Sequence, residues 1–290
     1  MRSPWIAVTA TGVAIVLGAG LWGTVGAAAL AVSLATSASP DTWGEDLPVP
    51  SEPGPSADEL EPPADELDPF AITEVYEVGA DGTLSPEPTP EAAEVWAGIE
   101  RVFTPRGAAT RIEELRLGRD VSSDTMAWVS RSQSGEYWTF AANLSYADDN
   151  DYWMATLVHE YAHVLSLGPE SSDTFTETCD TLWTGQGCLL ADADLLTFSD
   201  LFWADYTDAP DADNIDVDIA EAFYAAHEQD FVDAYAATNV TEDFAESFLS
   251  YVSEDAVEGD DLLSRKIAFF GEYPRYVLVR ERLRAELGWG

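Results

Sequence analysis

The chain is 290 residues long and carries 54 acidic against 13 basic side chains, a formal net charge of −41. Such a charge repels phosphate backbones and anionic lipid head groups, which excludes nucleic acid as a partner and leaves a membrane only the N-terminal segment to hold. Hydrophobic residues make up 46% of the sequence, enough for one or two packed domains. The acidity itself fits a salt-rich habitat or an acidic proteome and names no partner.

Behind Met1 and Arg2 an uncharged stretch rich in Ala, Val, Leu and Gly runs to Pro40. A secretory apolar region is usually about 7–15 residues and a spanning helix about 20, so this run is long enough to cross a bilayer. Arg2 ahead of it and the acidic chain behind it orient the N-terminus inward and the remainder outward. The small residues Ala35, Thr36, Ser37 and Ala38 also offer a signal-peptidase site, so residues 1–40 read as a signal anchor or a signal peptide. Either one delivers the rest of the chain outside the cytoplasm, tethered to the cell membrane or secreted. Residues 41–69 are rich in Pro, Asp and Glu, with Ala57-Asp58-Glu59-Leu60 echoed as Ala64-Asp65-Glu66-Leu67. Few large apolar side chains are present there to offset ordering entropy, which predicts a disordered stalk stretched by its prolines and like charges.

The folded region is expected over 70–290. A short strand, or a segment lying along the domain, over 71–76 precedes a helix opened by Pro90, in which Ala93, Val95, Trp96, Ile99, Val102 and Phe103 form an apolar stripe and which Pro105 ends. Strands follow over 111–117, 125–129 and 136–144, the last two joined through the turn 131–135 as a hairpin. Asp148, Asp149, Asn150 and Asp151 then cap a helix expected over 152–167 and stopped by Gly168-Pro169.

That helix contains Thr156-Leu157-Val158-His159-Glu160-Tyr161-Ala162-His163-Val164-Leu165. Residues four apart lie on one helix face, so His159 and His163 aim two imidazoles at one point while Glu160 sits beside them. A hydrolytic zinc site needs this set: two neutral nitrogen ligands, a third ligand from elsewhere, an open position for water and a base next to it.

Downstream, Cys179 and Cys188 are the only cysteines and have no histidine nearby, which predicts a disulfide in an exported chain. It closes a short loop, worth about 2–3 kcal/mol in the chain-entropy treatment. A helical stretch over 195–206, an acidic loop over 208–216 and a helix over 219–233 come next. Asp211, Asp213, Asn214, Asp216 and Asp218 invite a calcium reading, but the Gly and closing Glu of an EF-hand loop are missing, and a solvated loop is expected. Helices over 241–252, 262–270 and 273–287 finish the chain. Strands first and helices afterwards predict an α+β fold, with a small mainly antiparallel sheet followed by the His-Glu-x-x-His helix and a helical C-terminal half.

For the third ligand two options are open. One is His227, the remaining histidine; the other is a carboxylate from 241–248, where Glu242 and Glu246 share a face and Phe244, Phe248 and Leu249 supply an apolar one. A helix with two carboxylates so spaced can ligate a metal with one and hold a ligand imidazole with the other.

The segment Tyr235-Ala236-Ala237-Thr238-Asn239-Val240-Thr241-Glu242-Asp243-Phe244-Ala245-Glu246-Ser247-Phe248 resembles the second metal-binding segment of gluzincin metallopeptidases, in particular the catalytic domain of anthrax lethal factor and related proteins. That family carries His-Glu-x-x-His on one helix and, downstream, Tyr, Thr-Asn and Glu-x-Phe-Ala-Glu-x-Phe. The resemblance implies a zincin-like domain with Zn²⁺ held by His159, His163 and Glu242. Glu246 then stands behind the ligands, Tyr235 points at the substrate carbonyl or leaving group, and His227 becomes the lesser alternative. It extends loosely over 111–290, including the tail from Lys266 to Pro274, but not to the Cys179–Cys188 segment or the acidic loop. In zinc peptidases an edge strand ahead of the motif helix pairs with an extended substrate; the run 137–143 occupies that place, with an ordinary sheet strand as the other reading. The function so implied is an extracytoplasmic zinc-dependent endopeptidase acting on peptides or proteins, with Glu160 as general base. The alternatives are a zinc-containing cell-surface binding module without catalysis and a zinc hydrolase of a non-peptide bond.

Overall fold

In the computed structural model, which describes residues 69–147, 150–176, 178–255, 257 and 259–289, the apolar periodicities resolve into a sheet followed by helices. The N-terminal run and the stalk, up to residue 68, lie outside the described residues. The strand β1 (Ile72–Val78) turns into the two-residue β2 (Leu84–Ser85). Helix α1 (Pro90–Phe103) starts where Thr89 accepts a bond from Ala92 N and buries Val95, Trp96, Ile99, Val102 and Phe103. Pro105 does more than end it. Pro105 is also the first residue of α2 (Pro105–Arg111), with the Thr104 hydroxyl capping Gly107 N at 3.0 Å. The next strand therefore starts one residue later than the sequence suggests.

Strands β3 (Ile112–Gly118), β4 (Ala127–Arg131) and β5 (Trp138–Asn143) complete a five-stranded sheet in the order β2-β1-β3-β5-β4. Its pairings are antiparallel except β3 with β5. The expected hairpin is present, but the expected edge strand is not an edge. β5 is paired on both sides and buried at every position, as its run of apolar residues requires, and β4 takes the outer place.

Helix α3 (Asn150–Ser166) carries the histidine motif. After it come a small two-stranded ladder of β6 (Ser172–Asp173) and β7 (Cys188–Leu189), then α4 (Asp194–Phe202), α5 (Val217–His227), α6 (Val240–Ser253), α7 (Leu262–Phe269) and α8 (Pro274–Leu287). The architecture is mixed α and β, a small mostly antiparallel sheet with eight α-helices among the described residues. No helix among those residues is long and apolar enough to cross a membrane.

Helix α6 lies against α3, α4, α7 and α8 and is buried almost throughout. Edge-to-face aromatic contacts hold it: Phe244 to Phe270 at 4.9 Å, Phe198 to Phe244 at 5.3 Å and Phe248 to Phe270 at 5.3 Å between ring centres. The scarce cations sit at helix ends and in the core. Arg282 donates to the carbonyls of Arg101 and Val102 at the end of α1, Arg131 to Leu167 O beyond α3, and Arg284 to Val252, Ser253 and Glu254 at the end of α6.

The single lysine, Lys266, is fully buried. Its ammonium bonds Asp243 Oδ2 at 2.8 Å and Asp230 O at 2.7 Å and sits 3.6 Å from the Phe231 ring centre. Asp243 also accepts from Trp203 Nε1 at 2.7 Å. Lys266→Ala leaves Asp243 buried without its counter-charge, and the expected loss of unfolding free energy is about 3–5 kcal/mol. Chemical denaturation of the variant beside the parent measures this; a loss below about 1 kcal/mol would show that the pair does not brace α6.

Candidate metal centre

Helix α3 runs without Gly or Pro through residues 150–166, so the four-residue spacing of His159 and His163 is preserved as one face. That face meets α6. The start of α6 is set by Asn239, whose Oδ1 accepts from Thr241 N at 2.8 Å and Glu242 N at 3.0 Å. Asn239 is itself held by Asn214: its amide donates to Asn214 O at 3.0 Å, and the Asn214 amide donates to Thr238 O at 2.9 Å. The acidic loop thus fastens the first turn of α6. Among the described residues its carboxylates form no group arranged to hold a metal, and Asp216 instead caps α5 through Asp218 N and Ile219 N.

The group that is so arranged consists of His159, His163 and Glu242, all buried. The two Nε2 atoms are 2.9 Å apart, and Glu242 Oε2 lies 3.2 Å from His159 Nε2 and 3.4 Å from His163 Nε2. Glu246 Oε1 sits 2.8 Å from His159 Nδ1, behind the ring, where it fixes the imidazole with Nε2 turned inward. Tyr235, at the start of the turn 235–238, places its ring 5.8 Å from that of His159. Both oxygens of Glu160 and Glu242 Oε2 lack a hydrogen-bond partner of good geometry. Several buried polar atoms converging without partners is the signature of a place made for a cation.

The electrostatics agree. Burial works against a charged His159, but Glu246 and Glu242 outweigh it and hold its pKa up at about 10. His163 is pushed down, by burial first and then by the His159 charge. Glu242 is held at about 2 by the two rings, against the effect of burial. Glu160 is raised well above the usual carboxylate range by burial, with the His159 charge and the backbone N–H of Val129 pulling the other way.

Val129 belongs to the outer edge of the sheet. Ser132 N donates to Tyr137 O at 2.9 Å and Asn143 N to Met126 O at 2.8 Å, which sets the phase of the β4–β5 ladder. The N–H and C=O groups of Ala127, Val129 and Arg131 therefore point away from β5.

The residues expected from the sequence divide cleanly. His159, Glu160, His163, Tyr235, Glu242 and Glu246 come together, and Cys179–Cys188 is a disulfide. His227 does not join them: it faces Asp208 at 3.1 Å and packs on Tyr206 and Phe223. Asp233 was not anticipated. It is buried, accepts from Ala236 N at 2.9 Å and so shapes the Tyr235 turn, and burial followed by the Glu246 charge raises its pKa to about 8. An Asp just ahead of a turn is the one local signal that marks it.

At pH 7 the raised pKa of His159 keeps a proton on that ring, while His163 and Glu242 carry none, so an incoming metal must displace one proton. Affinity is then expected to rise about tenfold per pH unit from near 7 upward, levelling as the pH approaches the His159 value. Calorimetry in buffers of different ionisation enthalpy counts the proton directly, and a count of zero would contradict this assignment.

No protein-family model, curated protein or solved structure gives a match to this chain, so the geometry of the centre itself carries the functional argument.

Proposed function

We propose that residues 70–290 form a zincin-like, zinc-dependent peptidase domain working outside the cytoplasm. The observation that carries this is the convergence of His159 Nε2, His163 Nε2 and Glu242 Oε2 beside the buried, unpartnered carboxylate of Glu160. A zinc ion bound tetrahedrally at about 2.0–2.1 Å puts neighbouring donors roughly 3.3 Å apart. The three separations are 2.9, 3.2 and 3.4 Å. Two imidazoles and one carboxylate also suit zinc better than calcium or magnesium, which take oxygen ligands.

When bound, zinc supplies Lewis acidity and lowers the pKa of a water towards about 7. The protein's own groups do the rest. Glu160 takes the proton of the attacking water and passes it to the leaving amine; burial raises its pKa, which strengthens it as a base. Tyr235 donates its hydroxyl to the charge that develops on the scissile carbonyl. Glu246 keeps His159 oriented. The disulfide and the apolar N-terminal run support an oxidising compartment.

Incubating the zinc-loaded protein with a diverse peptide library tests the reaction. Glu160→Gln is expected to lower turnover by about 10³-fold or more while zinc content stays at one per chain. Zinc bound to both proteins with no peptide cleaved by either would favour a binding module. Tyr235→Phe is expected to lower kcat by about 10²-fold with little change in KM, since its bond forms only as the oxyanion develops. An unchanged kcat would remove Tyr235 from the reaction.

A further inference from the structure

The segment that leads from α5 into α6 uses one device twice. Asn239 stands ahead of α6, and its side-chain oxygen accepts from Thr241 N at 2.8 Å and Glu242 N at 3.0 Å. Earlier in the segment Asp233 does the same for the short turn Ala236–Thr238. Its Oδ1 accepts from Ala236 N at 2.9 Å, and the Tyr235 N–H turns to the same carboxyl. Each cap satisfies the second and third N–H groups after it, and each holds one residue of the centre: Glu242 in one case, Tyr235 in the other.

The backbone of Tyr235 is tied on both sides. Its N–H goes to Asp233, its carbonyl accepts from Thr238 N at 3.0 Å, and Ala236 and Ala237 are fully buried. The far end of the turn is held as well, where Thr238 O accepts from the Asn214 amide at 2.9 Å. Allowed rotamers depend on the backbone angles, so fixing φ and ψ at Tyr235 restricts where its ring can point. That ring stands 5.8 Å from the His159 ring. Asp233 is itself buried, so without it the Ala236 N–H has no water to turn to. Burial and then the Glu246 charge raise the pKa of Asp233 to about 8. Near neutral pH its carboxyl is therefore mostly uncharged, and it acts through its acceptor oxygen rather than through charge.

We propose that Asp233 is a positioning residue of the reaction: through the backbone of the turn it sets the Tyr235 ring beside His159, touching neither metal nor substrate. This rests on the peptidase reading above. A carboxamide offers the same acceptor, so Asp233→Asn keeps the cap, whereas Asp233→Ala releases the turn. Because the effect passes through Tyr235, it vanishes once the Tyr235 hydroxyl is gone.

The experiment uses the full chain loaded with zinc and one peptide that the wild type cleaves. Asp233→Ala is expected to lower kcat about tenfold or more, with KM within about twofold and one zinc per chain. Asp233→Asn is expected to stay within about threefold of the wild-type kcat. Added to Tyr235→Phe, Asp233→Ala is expected to cost a further factor of about three at most. A loss below threefold in Asp233→Ala, an equal loss in Asp233→Asn, or the full loss repeated in the Tyr235→Phe protein overturns the positioning role and leaves the peptidase reading standing. Should Asp233→Ala not fold, Asp233→Asn still decides, since a tenfold loss of kcat there overturns the role. Amide exchange in the zinc-free proteins reads the cap without catalysis. The Ala236 N–H is expected to exchange at least tenfold faster in Asp233→Ala and at a near wild-type rate in Asp233→Asn; equal rates in Asp233→Ala and the wild type would also overturn the proposal. No cleavage of any peptide by the wild type overturns the peptidase reading and the positioning role with it.

Discussion

The meeting of α3 and α6 in the dry interior is the constraint to which the rest of the molecule conforms. It brings two imidazoles and three carboxylates, those of Glu160, Glu242 and Glu246, out of water, at a cost that no single hydrogen bond repays. Part of that cost is offset by opposite charges set close to one another. Glu246 lies behind His159, Glu242 faces both rings, and Asp243, one residue on, has Lys266 and Trp203. A helix buried on all sides is normally apolar on all sides. α6 is not, and its acidic residues determine which neighbours it must have.

That need accounts for how the few cations are used. A chain with this excess of negative charge gains from every positive group placed near its centre. Lys266 is fully buried against Asp243 of α6, and the arginines of α8 reach the carbonyl ends of α1 and α6. Each such bond places positive charge where a helix dipole is negative. The helices that carry the centre are thus held at both ends: Asn239 caps the first turn of α6, Arg284 its last, and Arg131 closes the end of α3.

Two neighbouring segments, the cystine hairpin and the acidic loop, form one continuous support. Gly185 packs on Asp213, Asn214 holds Asn239, and Gln186 meets Arg131. The edge of β4 and the start of α6 are linked through these two segments as well as through the core. Neither contributes, among the described residues, to the His159, His163 and Glu242 group; both help to set where its neighbours stand.

Much of the centre was legible in the residues themselves, because helical spacing is a local property. Four-residue separations put His159 with His163 and Glu242 with Glu246 on single faces before any tertiary contact is known, and Pro90, Asn239 and Gly168 mark helix ends through their own backbone chemistry. The cysteine pair was legible for the same reason, since its loop is short. Other features depend on partners far away in the chain. Which strand forms the edge follows from long-range pairing, and an apolar run such as 138–143 reads alike as edge or centre until β3 claims one side and β4 the other. Whether Glu242 or His227 faces the motif is settled by helix docking, and Asp233 and Gln186 gain their places only from the turn and the edge they touch. Local periodicity determined which side chains share a face; the packing of distant segments decided which faces meet.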